Sequence, residues 1–301
     1  MDARLISCNL CGSRQWKTFV FGIDRLHGFE GRFRYVQCSE CGLVFMNPQI
    51  LPDSIINFYP DDYSPHQQKH FLTEELFNIP FLKRILGRLN SDSQVLDVGC
   101  GNGAFLYSLR QKTNCQVFGI ELSEKAVESA KVCYGLNVFC GTVEGYQAEE
   151  NAFDLITAWS VLEHVPDPMG FLQIVSRMVK PGGWFCIKTP NVRSLNACLF
   201  RDKWYALDSP RHLFLFSPRT IRCYFQQNGL DVQSILYDGS SKTTLCSLQY
   251  VFYGNNTNPI TKDRIRRSAL AKTILSPLTH FCGCLRLADQ MFVFGRKGPL
   301  E

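Results

Sequence analysis

The feature that most constrains the fold is an alternation of short apolar runs and helical segments that begins at Ser93. Helical segments such as residues 123–133 and 170–179 separate the earlier runs. Since neighbouring parallel strands need a crossover connection, usually a helix, this succession predicts an α/β fold with a doubly wound, mainly parallel sheet. The runs typical of strands are Gln94–Val98, Val117–Glu121, Val138–Cys140, Phe153–Ala158, Trp184–Thr189, Val232–Tyr237 and Met291–Gly295.

Two Cys-x-x-Cys pairs precede this region, Cys8 with Cys11 and Cys38 with Cys41, and each is followed by a glycine. A β-rich stretch lies between the pairs. Two such turns offer four thiolates to one tetrahedral ion, which predicts a structural zinc site in a small zinc ribbon. The alternatives are coincidence, which the matching glycines disfavour, and a redox motif, which would need only one pair.

The positive net charge of +5 arises at the C-terminal end. Residues 262–301 carry eight Lys or Arg and three Asp or Glu, whereas residues 1–90 carry ten and nine. The N-terminal part therefore offers no strong phosphate-binding face, and a nucleic-acid partner is not expected. We predict a basic amphipathic helix near 261–288, broken near Pro277. It would contact a membrane surface or an anionic substrate, or else pack on the sheet with a solvated basic face.

The cellular location predicted from the sequence is cytoplasmic. Six of the 14 cysteines sit singly inside apolar runs, as is typical of reduced thiols. The first residues lack the pattern of a signal peptide, and no run of about 18 apolar residues predicts a membrane span.

A glycine-rich bend formed by Gly99, Gly101 and Gly103 follows the first strand of the alternating region. Glycines are needed where the backbone passes close to a ligand, and this spacing alone also fits a dinucleotide site. Asp97 argues against a dinucleotide, because a pyrophosphate would repel a carboxylate there. Glu121, at the end of the second strand, could accept hydrogen bonds from both hydroxyls of a ribose in either ligand.

Five motifs, VLDVGCGNG, GIELS, GTVEG, FDLITAWSVLEHVPDP and KPGG, follow one another between about residues 91 and 236. In order and spacing they resemble the class I methyltransferases that depend on S-adenosylmethionine (SAM). The resemblance implies a Rossmann-like sheet of seven strands with an antiparallel last strand. It implies that SAM is bound by Asp97, Gly99, Gly101, Gly103, Glu121, Thr142, Val143, Glu144 and Trp159, with 142–144 along the adenine and Trp159 near the sulfonium.

These observations predict three parts of the chain. The zinc ribbon occupies residues 1–48, and a connector with a lead-in helix occupies 49–90. The SAM-dependent methyltransferase domain occupies 91–301, with substrate or lid insertions at about 192–218 and 239–288.

Two histidines are candidate catalytic residues. His212 lies in a polar segment after the fifth strand, where it could take a proton from the acceptor; the alternative is a structural histidine held by Asp208. His164 follows Glu163, and this pair could serve catalysis or metal binding. Ubiquinone-pathway O-methyltransferases carry an additional Glu where this chain has Ser160, which favours a hydrogen-bonding pair at a helix start over a catalytic metal.

The combination of ribbon and SAM domain resembles a bacterial group linked to sugar, polysaccharide and secondary-metabolite pathways. The predicted acceptor is therefore a small molecule: a sugar, a polysaccharide precursor, or a lipid or secondary metabolite, with anionic and lipid-linked molecules among the options. Two alternatives stay open. One is an RNA (rRNA) base methyltransferase with a zinc-binding recognition module, and the other is a non-catalytic nucleotide-binding module.

Overall fold

The computed structural model describes residues 2–60, 76–239, 241–254 and 268–299. Its N-terminal part contains two small sheets whose strands are β1 Ala3–Arg4, β2 Trp16–Gly22, β3 Phe33–Cys38, β4 Val44–Met46 and β5 Gln49–Ile50. β1 pairs with β5, while β2, β3 and β4 form an antiparallel sheet. A later strand, β11 (Phe214–Leu215), completes that sheet by pairing with β4. The N-terminal sheet therefore includes chain from the predicted methyltransferase region.

The central sheet has seven strands, β6 Gln94–Val98, β7 Gln116–Glu121, β8 Val138–Cys140, β9 Phe153–Trp159, β10 Val179–Pro190, β12 Leu230–Asp238 and β13 Gln290–Lys297. Their spatial order is β12-β13-β10-β9-β6-β7-β8. β6 to β10 pair in parallel, whereas β13 is antiparallel to both β10 and β12. The prediction of a Rossmann-like sheet with an antiparallel last strand is confirmed. The chain leaves β6 at the point where the strand order reverses, which is where ligands bind in such folds.

Helices pack around this sheet. They are α1 Pro52–Ile55, α2 Pro80–Leu86, α3 Ala104–Thr113, α4 Glu124–Tyr134, α5 Pro168–Met178, α6 Leu195–Phe200, α7 Pro218–Gln227, α8 Ser241–Tyr253 and α9 Ala269–Cys284. Side chains cap several helix starts: the Ser123 hydroxyl accepts the Ala126 amide, and the Asp167 carboxylate accepts the Gly170 amide. These caps satisfy amide groups that a helix cannot pair internally.

Two expectations about element bounds differ from the structure. α9 continues through Pro277, so the expected break there is wrong. A proline removes one amide donor, and the other hydrogen bonds of a long helix can carry it past that residue. β10 begins at Val179, before the predicted run Trp184–Thr189, so the KPGG motif lies inside the strand, with a register shift between Val179 and Trp184. Residues 261–267 of the predicted basic helix lie outside the described residues.

The N-terminal sheet and the central sheet share one hydrophobic core. Phe45 of β4 stacks on Phe214 of β11 with ring centroids 6.2 Å apart, and both side chains are fully buried. Asn9, in the first Cys-x-x-Cys turn, donates to Asp167 at the start of α5 and accepts from the Tyr224 hydroxyl of α7. The ribbon thus packs directly on the methyltransferase region, and the division at 1–48, 49–90 and 91–301 stays a prediction.

Candidate active site

The glycine bend after β6 depends on backbone conformations that glycine adopts easily. Gly99, Gly101 and Gly103 have φ values of 71°, 55° and 77°, in the left-handed region that disfavours other residues. A Cβ at Gly99 would lie 2.5 Å from Val161 Cγ2, and one at Gly103 would lie 2.5 Å from Leu136 Cδ1. The first and third glycines are therefore required by protein packing as well as by backbone shape, a reason that the sequence did not reveal.

Glu121 lies directly against this bend. Its Oε2 accepts a hydrogen bond from the Gly101 amide at 2.8 Å, and its Oε1 accepts from the Ser123 amide at 2.9 Å. The side chain is only 5% exposed. Two backbone donors thus hold this carboxylate at the end of β7, beside the crevice where the hydroxyls of a bound ribose would lie.

Asp97 is the second carboxylate beside the bend. It is 2% exposed and accepts a hydrogen bond of 2.6 Å from the Thr157 hydroxyl of β9. The pKa of Asp97 is raised to about 7, mainly by burial. The Thr157 hydrogen bond lowers this pKa, and the charge of Glu121 raises it. A cationic ligand group near Asp97 would offset the cost of ionising it. The α-ammonium of SAM is such a group, so this residue fits the cofactor.

The residues expected along the adenine form a turn after β8. Val143 is 3% exposed, whereas Thr142 and Glu144 are exposed. The Gly141 amide donates to the Glu121 carbonyl at 2.9 Å, which keeps this turn close to the glycine bend.

Trp159 ends β9, one residue beyond the predicted strand, and its ring meets Phe105 edge-on with centroids 5.8 Å apart. Its Nε1 is buried without a hydrogen-bond partner among the residues that the structure describes. A buried N–H of this kind usually has a partner, such as a ligand or water. Trp159 therefore fits the border of a ligand site.

The two candidate catalytic histidines lie together although 48 positions separate them. The ring centroids of His164 and His212 are 4.6 Å apart, in an edge-to-face arrangement. The Leu213 amide donates to the Glu163 carbonyl at 2.8 Å, which joins the two chain segments. Potential ligand atoms of Glu163, His164 and His212 all lie within 4.8 Å of one another.

Carbonyl groups lie within hydrogen-bond distance of both histidine rings, and for His212 the contact defines the tautomer. His212 Nδ1 lies 2.8 Å from the Ala206 carbonyl, and His164 Nδ1 lies 3.1 Å from the Arg211 carbonyl. Since a carbonyl only accepts, His212 Nδ1 carries a proton, which leaves Nε2 as the nitrogen that can accept one from a substrate. His164 Nδ1 has a second partner, the Tyr59 hydroxyl at 3.0 Å, which can donate to it or accept from it. Burial and, after it, the neighbouring His212 lower the pKa of His164 to about 3, so that His164 is neutral near pH 7.

Asp208 does not hold His212 in the expected way. Its Oδ2 is 3.8 Å from His212 Nε2, beyond hydrogen-bond distance, and the ring is held by the Ala206 carbonyl. The Asp208 carboxylate binds Arg211, with a shortest distance of 2.6 Å to Nη2. Burial raises the pKa of Asp208, but the charges of Arg211 and His212 outweigh it and bring the pKa below its usual value. Asp208 is thus a permanent anion in the site.

Arg211 and Asp24 are residues of this site that the sequence analysis missed. Arg211 is fully buried, and its Nη1 and Nη2 each lie 2.9 Å from an Asp24 carboxylate oxygen. The two residues are 187 positions apart and belong to no local motif. The sequence signal that could have identified Arg211 is its position directly before the candidate base, His212.

The four cysteines of the predicted zinc site come together. Cys8 and Cys41 have Sγ atoms 3.4 Å apart, and those of Cys11 and Cys38 are 3.5 Å apart. A tetrahedral ion with Zn–S bonds of about 2.3 Å places sulfur atoms about 3.8 Å apart, so this cluster fits zinc. Although burial raises the pKa of Cys38, the backbone amides of Cys41 and Glu40 lower it to about 7, whereas burial raises the pKa values of Cys8 and Cys41.

The sheet order, the glycine bend and its two carboxylates together define a SAM-dependent methyltransferase. A sequence model described as "Methyltransferase domain" matches residues 68–235, which is more than half of the chain. The chain belongs to this family.

Curated relatives include a ubiquinone biosynthesis O-methyltransferase of Nitrosospira multiformis, 32% identical over 56% of this chain and 68% of that protein. The protein of the same name from Chromobacterium violaceum is 39% identical over 33% of this chain and 44% of its own length. The chain therefore spans about two thirds of one relative and less than half of the other.

Two solved structures share the fold. A putative sarcosine dimethylglycine methyltransferase from Galdieria sulphuraria has a TM-score of 0.52 and 14% identity, covering 80% of this chain and 91% of that one. Geranyl diphosphate C-methyltransferase from Streptomyces coelicolor A3(2), in complex with Mg²⁺, geranyl diphosphate and S-adenosyl-L-homocysteine, has a TM-score of 0.51 and 14% identity, covering 75% and 79%. Among the described residues, the helices are too short or too polar to cross a membrane.

Proposed function

We propose that this protein transfers a methyl group from SAM to a small molecule and that Asp97, Gly99, Gly101, Gly103 and Glu121 bind the cofactor. The observation that carries this proposal is the Glu121 carboxylate bound to the Gly101 amide at 2.8 Å, because it fixes a ribose acceptor against the bend. Thr142, Val143 and Glu144 would line the adenine, and Trp159 the sulfonium end. SAM supplies an activated methyl group, so the chain mainly binds and orients the reactants.

His212 is the proposed general base of this reaction. Its Nδ1–H is donated to Ala206, so Nε2 can accept a proton from the acceptor. His164 is neutral and packs edge-on against it, which excludes water from one side of the ring. The protein can thus align the acceptor with the methyl group. In ideal cases such alignment lowers the activation free energy by up to about 7–11 kcal/mol.

A His212→Ala variant tests this assignment. We expect its turnover to fall by about 10²–10⁴-fold while its affinity for SAM is unchanged, because the base acts on the acceptor and not on the cofactor. Steady-state kinetics and calorimetric SAM titration measure the two quantities. Full turnover with unchanged SAM affinity would remove His212 from the mechanism.

The proposed acceptor is a sugar, a polysaccharide precursor, or a lipid or secondary metabolite, with an anionic or lipid-linked molecule as the first to test. The relatives named ubiquinone biosynthesis O-methyltransferases favour a hydroxyl acceptor. Transfer of tritium from labelled SAM to nucleotide sugars, polyprenyl-linked sugars, polyprenyl phenols and ribosomal RNA would identify the class. Labelling of ribosomal RNA alone would replace this proposal with the RNA alternative.

We further propose that the four-cysteine cluster holds a structural zinc ion. Four thiolates leave no open coordination position, so the ion would stabilise the ribbon and take no part in methyl transfer. Reduced thiols of this kind also support the predicted cytoplasmic location.

The predicted membrane contact becomes a proposal for α9. Leu270, Ile274, Leu278, Phe281 and Leu285 recur along this helix and its end with exposures of 72%, 67%, 50%, 58% and 52%. Residues 268–288 contain Lys272 and Arg286 but no Asp or Glu. An apolar stripe without negative charge suits the surface of an anionic bilayer, where a lipid-linked acceptor would be located.

A further inference from the structure

The ribbon contacts the active site through a buried ion pair. Asp24 lies in the loop after β2, and each oxygen of its carboxylate is 2.9 Å from a guanidinium nitrogen of Arg211. Both side chains are 0% exposed. The amides of Leu26 and His27 donate to Asp24 Oδ1 at 3.0 Å, so the ribbon loop itself orients this carboxylate.

Arg211 is connected to both histidines by its main chain. It directly precedes His212, and its carbonyl lies 3.1 Å from Nδ1 of His164. Its Nη1 also donates to the Phe58 carbonyl of the connector at 3.0 Å. A displacement of Arg211 would therefore change the hydrogen bond of one histidine and the backbone position of the other.

A second ribbon residue holds the same segment. The Tyr35 hydroxyl of β3 donates to the His212 carbonyl at 2.9 Å, and its side chain is 0% exposed. Burial raises the pKa of Tyr35, so this donor keeps its proton. Two separate ribbon elements thus hold this segment, Asp24 through the Arg211 side chain and Tyr35 through the His212 carbonyl.

We propose that Asp24 is a positioning residue of the active site: through Arg211 it fixes the orientation of His212 and His164, and the ribbon forms a structural wall of the acceptor site. This inference rests on the proposed function, in which His212 is the base. The ribbon would then help to align the acceptor, although its strands lie outside the seven-stranded sheet.

Three variants test the proposal. Asp24→Asn removes the charge that pairs with Arg211. Tyr35→Phe removes only the hydrogen bond to the His212 carbonyl and keeps the buried ring, so it serves if Asp24→Asn does not fold. Asp202→Asn is the matched control, because it breaks another pair between the ribbon and the rest of the chain, Arg25–Asp202 at 2.8 Å, in which neither residue bonds to Arg211 or to either histidine.

The readouts are the ¹⁵N signals of the histidine rings, which report the tautomer, and hydrogen exchange of the Leu213 amide. In the wild-type protein the His212 ring should carry the proton on Nδ1. In Asp24→Asn and Tyr35→Phe we expect mixed tautomers at His212, in Asp24→Asn also a shifted Nδ1 signal at His164, and exchange at Leu213 faster by about tenfold or more. Asp202→Asn should behave as the wild type. Unchanged tautomers and exchange in both test variants, or equal changes in the control, would overturn the proposal.

Titration of each variant with SAM separates this result from the proposed function. Since Asp24 and Tyr35 do not touch the glycine bend, we expect SAM affinity to change by less than about threefold. A wild-type protein that fails to bind SAM would contradict the proposed function, while the histidine signals would still decide whether Asp24 positions them.

Discussion

Asp97 and Glu121 are buried acids on the same side of the sheet, but their surroundings differ. Glu121 accepts hydrogen bonds from two amides, whereas Asp97 has one hydrogen bond to a hydroxyl and a pKa raised by burial. In the ligand-free protein Asp97 therefore resists ionisation. We attribute the free-energy cost of ionising Asp97 to cofactor binding, because a ligand ammonium beside the carboxylate would stabilise its ionised form.

The variant Asp97→Asn tests this explanation. The folded-state pKa of about 7 exceeds the ordinary 3.8, so Asp97 contributes stability that is complete below the ordinary pKa and is lost as pH rises toward 7. We therefore compare the free energy of unfolding of the ligand-free variant with that of the wild type. The difference, variant minus wild type, should be about 2–3 kcal/mol larger at pH 8 than at pH 5.

Calorimetric unfolding at the two pH values measures this difference, and exposed Asp231→Asn is the control that should show none. The same Asp97→Asn variant should bind SAM more weakly. A stability difference that does not depend on pH would show that Asp97 is ionised in the folded protein.

For individual residues, the sequence predicts the site residues close to the glycine bend, but not the contacts between residues that are distant in the chain. Asp97 and Glu121 were predicted because each stands at a fixed distance from the glycine bend. The pair Arg211–Asp24 was missed, since only folding brings these positions together. His164 and His212 were named separately, and their contact could not be predicted.

The helices and strands show where local patterns are sufficient. β6 and the bend follow from an apolar run and glycines, and the bounds of β6 agree with the prediction. β10 is longer than expected because its first residues pair beyond a register shift. α9 passes Pro277, since packing and the remaining hydrogen bonds outweigh the local preference of one residue.

The exposed stripe of α9 gives a prediction for membrane binding. Ile274→Glu combined with Phe281→Glu places two charges in the stripe, and it should weaken binding to vesicles containing phosphatidylglycerol by about tenfold or more. Val132→Glu is the matched control, because Val132 is 73% exposed on α4, away from this helix.

Cosedimentation with vesicles of phosphatidylcholine, with and without phosphatidylglycerol, measures binding. The wild type should bind the anionic vesicles and lose affinity as salt increases. Equal binding by the double variant, or a dimer that only the double variant loses in light scattering, would contradict a membrane contact.

At the scale of the whole molecule, the ribbon and the sheet form one hydrophobic core, so metal binding should affect the stability of both. We predict one zinc ion per chain by elemental analysis. Cys11→Ser should release it and lower the unfolding temperature, because binding of a structural metal contributes directly to folding.

Cys133→Ser, at an exposed cysteine of α4, is the control and should leave zinc content and unfolding temperature unchanged. A purified protein without zinc, or a Cys11→Ser variant that retains it, would show that the cluster is not a metal site. The shared core itself was not foreseen, since β11 joins the N-terminal sheet from a distant part of the chain.

The proposed SAM site is the crevice beside the glycine bend. Isothermal titration of the wild-type protein with SAM and, separately, with NAD tests it most directly. We predict saturable binding of one SAM per chain and no binding of NAD, because Asp97 favours an ammonium and disfavours a pyrophosphate. Binding of NAD without binding of SAM would contradict the account.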